Sequence, residues 1–205
     1  MTRDREDDLP VEGLRERKRR ETAERIRETG IRLFMEKGYA ATTLEDIAGE
    51  AGISRRTFFY YYKSKDDILL TMQNGTGAAV AAALREAPPD KRPFEAVRDA
   101  VLRLTASIPH DELIVLDRLM RSSEAVQARK AASYIQHEQT VFAALRKKWP
   151  EPEREAALRW IAMLAIGGLR LSLEAFSREE GKRPLVDFVR EAFDTLEHEV
   201  GHHGS

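Results

Sequence analysis

The sequence predicts an all-α fold of about nine helices. Three observations support this prediction. Apolar side chains recur at intervals of three and four residues, as they do along one face of a helix. Several of these segments begin with Ser or Thr followed three positions later by an acidic residue, and most of them end at Gly or Pro. The sequence also offers no pair of alternating apolar and polar runs that could form neighbouring strands.

Composition narrows the class of protein. With 205 residues, 34 % of them charged and 42 % hydrophobic, the chain can form one or two globular domains. The absence of cysteine excludes disulfides, thiol catalysis and cysteine-ligated zinc. The polar stretch Met1–Leu14 does not look like a secretion signal, and the apolar run Trp160–Leu169 is too short to span a bilayer. We therefore expect a cytoplasmic protein with no membrane partner.

Charge is distributed unevenly along the chain, although the net charge is only −1. Residues 1–13 carry two basic and five acidic side chains. Residues 14–65 carry 13 basic against eight acidic side chains, which is a net charge of +5, whereas the remainder carries 19 against 22. A basic block beside an acidic remainder is typical of a small polyanion-binding module joined to a second domain.

The first helix follows a polar segment, residues 1–13, which we expect to be a disordered tail. The helix is predicted from Leu14 to Lys37, and Gly38 ends it. Its apolar face comprises Ile26, Gly30, Leu33 and Phe34. The basic run Arg15–Arg20 precedes that face, and it fits a solvated helix start and a phosphate-binding surface equally well.

The next two helices form a helix-turn-helix pattern over residues 43–62. Thr43 with Asp46 opens one helix, Gly52 breaks the chain, and Ser54 caps a short helix that contains five consecutive aromatic residues. In such a motif the N-terminal side chains of the second helix reach base edges in the major groove. A buried β-strand is the alternative for an aromatic run, but helix caps at both ends and the lack of alternation oppose it.

These residues resemble the DNA-binding domain of TetR-family repressors over positions 20 to about 70. The matching segments are 42–48 (TTLEDIA), 51–61 (AGISRRTFFYY) and 63–69 (KSKDDIL), with Tyr61-Tyr62 where many members have His-Phe. The resemblance implies the following DNA-facing set: Thr43, Tyr60, Tyr61 and Lys65 on phosphates, Arg55, Arg56 and either Thr57 or Phe59 on bases, and Ser54 at the cap. It places Ile47 and Phe58 in the core and residues 14–65 in the DNA-binding domain.

Six more helices are predicted in residues 66–200, before a short tail at 201–205. One helix continues from Lys65 to Ala87 with Gly75 and Gly77 inside it, and Pro88-Pro89 ends it. The next helix begins at Pro93 and ends near Pro109. The others are predicted at 110–120, 122–149, 153–178 and 184–198.

The helix at 153–178 is apolar on every side between Trp160 and Leu173, so one face is expected to meet a second subunit. The resemblance implies the same arrangement, because the last two helices of TetR-family subunits form a four-helix bundle in the dimer. The predicted interface consists of Trp160, Met163, Gly167, Leu171, Phe188, Ala192 and Leu196.

No nucleophile elbow, P-loop or paired-histidine metal motif occurs, so we predict neither catalysis nor a metal site. We expect no cofactor, but a small-molecule effector. The candidate cavity residues are mid-helix and apolar: Met72, Leu102, Leu116, Leu119, Met120, Tyr134, Phe142, Trp160, Leu164 and Leu169. Core packing is the alternative for each of them, and together they predict an apolar cavity with few polar groups.

Residues 93–196 loosely resemble the mycofactocin-regulator branch of the TetR family, which is associated with acyl-CoA-like ligands. The resemblance implies a homodimeric, ligand-released repressor that binds a palindromic double-stranded operator. The alternative is a helical small-molecule-binding protein whose helix-turn-helix head serves protein partners.

Overall fold

A computed structural model describes residues 13–201, with the side chains of residues 72–74, 200 and 201 left out. The predicted N-terminal tail, apart from residue 13, and the last four residues lie outside the described range. Within that range the secondary structure is helical and contains no strand, which confirms the all-α prediction. The helices are α1 (Leu14–Lys37), α2 (Leu44–Glu50), α3 (Arg55–Tyr61), α4 (Lys65–Asn74), α5 (Thr76–Glu86), α6 (Pro93–Ala106), α7 (His110–Met120), α8 (Glu124–Lys148), α9 (Glu155–Arg178) and α10 (Leu185–Gly201), with a 3₁₀ turn at Pro152–Arg154 before α9.

The single helix predicted from Lys65 to Ala87 is instead two helices, α4 and α5, which are separated at Gly75. Gly75 keeps near-helical dihedral angles, φ −80° and ψ −16°, so the interruption is local. Glycine disfavours the helix interior because it loses more backbone entropy there than any other residue. The described range therefore contains ten α-helices, where about nine were predicted.

The chain divides into two compact units at residues 68 and 69. In the first unit α1 packs on α2, and α2 packs on α3. The predicted apolar face of α1 is buried in this unit together with Ile47 and Phe58. A Cβ atom added to Gly30 would lie 2.7 Å from Cδ1 of Ile68, so only glycine leaves room for that side chain.

The second unit is a bundle in which α9 packs against α6, α8 and α10, while α5 packs on α6 and α8. Its core includes Leu145, Leu158, Phe176, Val189 and Phe193. Gly77 of α5 lies directly on α8, since an added Cβ atom would be 3.0 Å from Cα of His137. Gly77 thus allows two helix backbones to approach closely.

Helix α9 is not covered on every side by its own protomer. Trp160 is 61 % exposed, Leu171 55 % and Met163 38 %. The segment Pro152–Arg178 is also long and apolar enough, by length and composition alone, to cross a bilayer. The core helix of a globular domain meets the same criteria, and Leu158, Ala162, Ile166 and Leu169 of this segment are core residues of the bundle.

Candidate DNA-binding interface and effector cavity

Helix α3 owes its start to Ser54. The Ser54 hydroxyl oxygen accepts a hydrogen bond from the backbone N–H of Thr57 at 3.0 Å, and the two hydroxyl oxygens lie 2.8 Å apart. This bond satisfies one of the free N–H groups of the first turn. The predicted DNA-facing Ser54 and Thr57 therefore also act as the structural cap of α3.

An aromatic residue of α3 and the aromatic residue that follows the helix anchor α3 to the first unit. Phe58 is fully buried, as predicted, and its ring contacts those of Phe59 and Tyr62. The Tyr62 hydroxyl donates to the carbonyl oxygen of Ala23 in α1 at 3.0 Å. Burial raises the pKa of Tyr62, so its hydroxyl stays protonated and remains a donor at neutral pH. These anchors fix which face of α3 is exposed.

The exposed face of α3 carries Arg55, Arg56, Phe59 and Tyr60. Arg55 donates to the Glu45 carboxylate of α2 at 2.6 Å and lies over the Phe59 ring. Arg56 makes no hydrogen bond, ion pair or ring contact with the described part of the chain. Of the two predicted base-contacting arginines, Arg56 is therefore the one already available to a ligand.

Thr43 caps α2 through a reciprocal pair of hydrogen bonds with Asp46. Its hydroxyl accepts from the Asp46 N–H at 3.1 Å and donates to the Asp46 carboxylate at 2.7 Å. This bond and the bond from the Thr43 backbone N–H lower the pKa of Asp46 to about 2. The Thr43 hydroxyl proton is thus engaged within the protein, and a phosphate contact by Thr43 would have to share it.

Lys65 lies at the start of α4 and closes the turn between α1 and α2. Its ammonium group donates to the carbonyl oxygens of Tyr39 at 2.7 Å and Thr42 at 3.0 Å, and it lies 4.3 Å from the centre of the Tyr39 ring. An ammonium group has three donors, so one remains for a phosphate. Burial lowers the pKa of Lys65. This second, structural role of Lys65 was not predicted from the sequence.

The basic start of α1 extends the exposed surface next to α3. Arg19 lies over the ring of Tyr60, which is 68 % exposed. Arg17 pairs with Glu21 within α1 at 3.5 Å. Tyr61 is half-buried and meets Tyr60 edge to face at 5.0 Å between ring centres. The two aromatic residues predicted on phosphates therefore lie together, with Arg19 beside them.

The predicted cavity residues differ widely in their exposure. Leu119, Met120 and Leu169 are buried, and Trp160 points outward. Leu102, Leu116, Phe142 and Leu164 are half-buried, and the Met72 side chain lies outside the described residues. Only Met120 and Tyr134 line the cavity that the structure forms between α7, α8 and α9.

That cavity has a volume of about 320 Å³, and charged side chains line it. Asp117 of α7 pairs with Arg121 at 3.1 Å, and Glu174 of α9 pairs with Arg170 at 2.5 Å. Lys130 of α8 is the fifth charged group. We call this site, lined also by Ala131 and Leu173, the charged cavity. Its lining differs from the apolar set predicted from the sequence, with which it shares only Met120 and Tyr134.

These charged cavity residues were not predicted from the sequence, although the four-residue spacing of the two ion pairs is visible in it. Asp117 and Arg121 are four residues apart, as are Arg170 and Glu174, and such pairs lie on one face of a helix. Charge pairs at this spacing are common on exposed helix faces, so the spacing alone does not indicate a cavity.

The predicted dimer residues divide into two groups. Trp160, Met163, Gly167 and Leu171 lie along one side of α9, and we call this surface the α9 stripe. Nothing lies within 4 Å of a Cβ atom added to Gly167, so the middle of the stripe is open. On α10, Ala192 and Leu196 are half-buried, whereas Phe188 is buried and packs on Phe176 inside the protomer.

Histidines do not form a metal site in the described range 13–201, where no group of three or more His, Asp or Glu side chains could hold a metal ion. His137 is buried on α8 and meets Tyr134 edge to face. Its pKa is lowered by burial. His110 packs edge to face on Phe176 at the start of α7.

Two family models match the chain. Residues 26–72 match "Bacterial regulatory proteins, tetR family", and residues 91–201 match the "MftR C-terminal domain". Together these matches confirm both resemblances predicted from the sequence.

The chain is also similar to two named transcriptional regulators and to proteins of known structure. The chain is 58 % identical over 38 residues to the HTH-type transcriptional regulator YerO of Bacillus subtilis, covering 18 % of this chain and 13 % of YerO. It is 33 % identical over 105 residues to the HTH-type transcriptional regulator TcmR of Streptomyces glaucescens, covering 51 % and 46 % of the two chains. The match thus spans less than half the length of either relative.

One similar solved structure is that of Thermus thermophilus FadR, a TetR-family transcriptional repressor in complex with lauroyl-CoA. It superposes with a TM-score of 0.58 at 23 % identity, over 85 % of this chain and 92 % of FadR. At that identity the likeness concerns the fold.

Proposed function

Because the chain belongs to the TetR family of bacterial regulatory proteins, we propose that it is a sequence-specific DNA-binding transcriptional regulator. It acts as a homodimeric repressor that binds a palindromic operator and is released by a small-molecule effector. It works in the cytoplasm and has no catalytic role. The relatives YerO and TcmR are both named as HTH-type transcriptional regulators, which supports this proposal.

The observation that carries the proposal is the exposed first turn of α3. Ser54 caps the helix, Phe58 and Tyr62 anchor its opposite side, and Arg56 extends outward without a partner in the described part of the chain. A planar guanidinium group at the N-terminus of a recognition helix suits the two acceptors of a guanine edge. Arg55 is the second base-contacting candidate once it leaves Glu45.

Phosphate contacts on either side of α3 would hold it in register on the duplex. Tyr60, Tyr61, the remaining donor of Lys65 and the N-cap of α2 at Thr43 are the candidates. Phosphate contacts position a protein on DNA, whereas base contacts specify the sequence. Arg19, beside Tyr60, adds positive charge to the same surface.

Dimerisation through the α9 stripe would place two copies of α3 on one operator. Large exposed apolar residues are costly in water, and Trp160 and Leu171 would be buried against a second subunit. Gly167 would let the two α9 backbones approach closely, and Ala192 and Leu196 of α10 would extend the contact. A two-fold symmetric dimer recognises a palindrome. Phe188 would not contact the second subunit directly, because it is already buried against Phe176 in its own protomer.

Effector release would follow from a difference in affinity between two states of the protein. A ligand that fits the second unit better in the state that does not bind DNA shifts the population toward that state. FadR was solved with lauroyl-CoA, so an acyl-CoA-like or other hydrophobic ligand is the first class to test.

A gel-shift titration with the DNA that flanks its own gene tests the proposal. We expect a palindrome-dependent shift that weakens with salt, because bound phosphates release counterions. Arg56→Ala should weaken operator binding by about 1–3 kcal/mol and relax the preference at the contacted base pair. Arg103→Ala, an exposed arginine of α6, is the matched control and should bind like the wild type. The absence of a salt-sensitive, palindrome-dependent shift would count against the proposal and favour the alternative, a head that serves protein partners.

A further inference from the structure

The charged cavity contains two polar groups that the protein leaves unused. The Lys130 ammonium and the Tyr134 hydroxyl both line it, and neither makes a hydrogen bond or an ion pair with the side chains and backbone that the structure describes. Both are on α8, four residues apart, so they lie on the same face of the helix. Both side chains are half-buried, and neither polar atom is sealed from solvent, so both remain accessible to a ligand that enters the cavity.

The other charges in the cavity cancel in pairs. Asp117 with Arg121 and Glu174 with Arg170 form two ion pairs, each between residues four positions apart. With Lys130 added, the cavity lining carries a net charge of +1. Asp117 and Glu174 also attract Lys130, but each already pairs with an arginine. An occupant that matches this cavity electrostatically carries one negative charge.

Burial affects the two unused groups in ways that favour an anionic acceptor. It raises the pKa of Tyr134 to about 12, so the phenol remains a hydrogen-bond donor at physiological pH. It lowers the pKa of Lys130, because water no longer fully solvates the ammonium group. A bound anion would stabilise the charged ammonium group in place of the missing water. The cavity thus offers two neighbouring donors, one of them charged.

We propose that the charged cavity binds a small amphipathic carboxylate, with its carboxylate on Lys130 and Tyr134 and its apolar body along Met120, Ala131 and Leu173. The volume of about 320 Å³ is at the lower end of the range for small-molecule pockets, about 300–1,000 Å³, which favours a short chain over a bulky ligand. Only the regulatory consequence, release from the operator, rests on the proposed function.

Isothermal titration calorimetry of the full-length protein with octanoate and 1-octanol tests the charge requirement. We expect saturable binding of octanoate, and binding of 1-octanol that is about 10- to 100-fold weaker, which is the usual strength of a hydrogen bond to a charged group. Lys130→Met should abolish this preference for the carboxylate over the alcohol. Tyr134→Phe should reduce octanoate affinity by a smaller factor, roughly 2- to 10-fold, because it removes a neutral donor.

Lys182→Met is the matched control, since Lys182 is an exposed lysine that does not line the cavity. It should bind octanoate like the wild type. Equal wild-type affinities for octanoate and 1-octanol would overturn the proposal, as would the absence of saturable octanoate binding below its critical micelle concentration. A Lys130→Met variant that keeps the carboxylate preference would place the anion elsewhere.

Octanoyl-CoA, which carries its negative charges on phosphates, separates a free carboxylate from a thioester ligand. We expect octanoate to be displaced only weakly by octanoyl-CoA. Strong displacement that survives Lys130→Met would contradict the assignment. These measurements need no DNA, so failure of the wild type to shift its operator would refute the proposed function and leave the ligand result intact.

Discussion

Replacing Lys65 by Met separates the two roles that this side chain combines. The substitution keeps an apolar stem of similar length and removes the ammonium group that donates to the carbonyl oxygens of Tyr39 and Thr42. It also removes the third donor, which we propose for a phosphate. One variant therefore has two measurable consequences, one on stability and one on the salt dependence of DNA binding.

The cost in stability follows from the two lost hydrogen bonds. A hydrogen bond to a charged group contributes about 1.5–3 kcal/mol, and part of this is recovered here because Lys65 is only half-buried and its carbonyl partners can rehydrate. We expect a loss of about 2 kcal/mol from the first unit. A domain of 60–100 residues loses about 4–8 °C in melting temperature per kcal/mol, so a decrease of roughly 10 °C is expected.

Differential scanning calorimetry of the full-length protein measures the first effect, and operator binding at several salt concentrations measures the second. Each phosphate contact contributes about 0.9 to the slope of log affinity against log salt, so Lys65→Met should flatten that slope by nearly 1 and weaken all sequences alike. Lys63→Met is the control for stability, because Lys63 is exposed and should change it by less than about 0.5 kcal/mol.

Two outcomes would contradict this account separately. An unchanged melting temperature would show that the carbonyl contacts of Lys65 do not hold the turn after α1. An unchanged salt slope, with a lowered melting temperature, would leave Lys65 a structural residue and remove it from the DNA-facing set.

Three further predictions concern the second unit. In urea titrations, Gly77→Ala should lower the free energy of unfolding by about 1 kcal/mol, because overpacking against the α8 backbone outweighs the gain in helix propensity. Gly75→Ala, which meets no neighbouring atom, should raise it by about 0.5–1 kcal/mol. Similar effects of the two substitutions would contradict the close contact at Gly77. The pKa of His137 is lower in the folded protein than in the unfolded chain, so the unfolded chain binds this proton at a higher pH. The free energy of unfolding should therefore decrease as pH falls below 6.5, the ordinary pKa of histidine. His137→Gln should make that decrease smaller in denaturant titrations at several pH values. Met163→Glu should convert the dimer to a monomer in sedimentation velocity, because it places a carboxylate in the α9 stripe, and unchanged sedimentation would refute that interface.

Local signals were enough to predict the first unit. The caps at Thr43 and Ser54 depend on side chains three residues apart, and such pairs are visible in the sequence. The burial of Phe58 followed from the motif. The contacts of Lys65 could not be predicted in this way, because its partners are backbone carbonyl groups more than 20 residues away and carry no mark in the sequence.

The second unit was harder to predict because its site depends on packing between helices. The periodicity of α9 correctly indicated more apolar surface than one protomer covers, as Trp160 shows. Periodicity cannot say which of several half-buried faces encloses a cavity. It therefore could not separate Met120 and Tyr134, which line the charged cavity, from Phe142 and Leu164, which do not line it. Lys130 was missed for the same reason, since an isolated lysine on a long helix normally points into solvent.

The ion pair between Arg55 and Glu45 has a consequence for how the protein searches a chromosome. Its two side chains are 63 % and 61 % exposed, so the pair contributes at most about 1 kcal/mol and opens readily. On DNA of the wrong sequence no base edge competes for Arg55, and we expect the pair to remain closed while phosphate contacts let the protein slide. A matching site would draw Arg55 away from Glu45. During sliding, Arg56 would thus be available for base contacts while Arg55 stays paired with Glu45, and the protein would stop where both arginines contact bases.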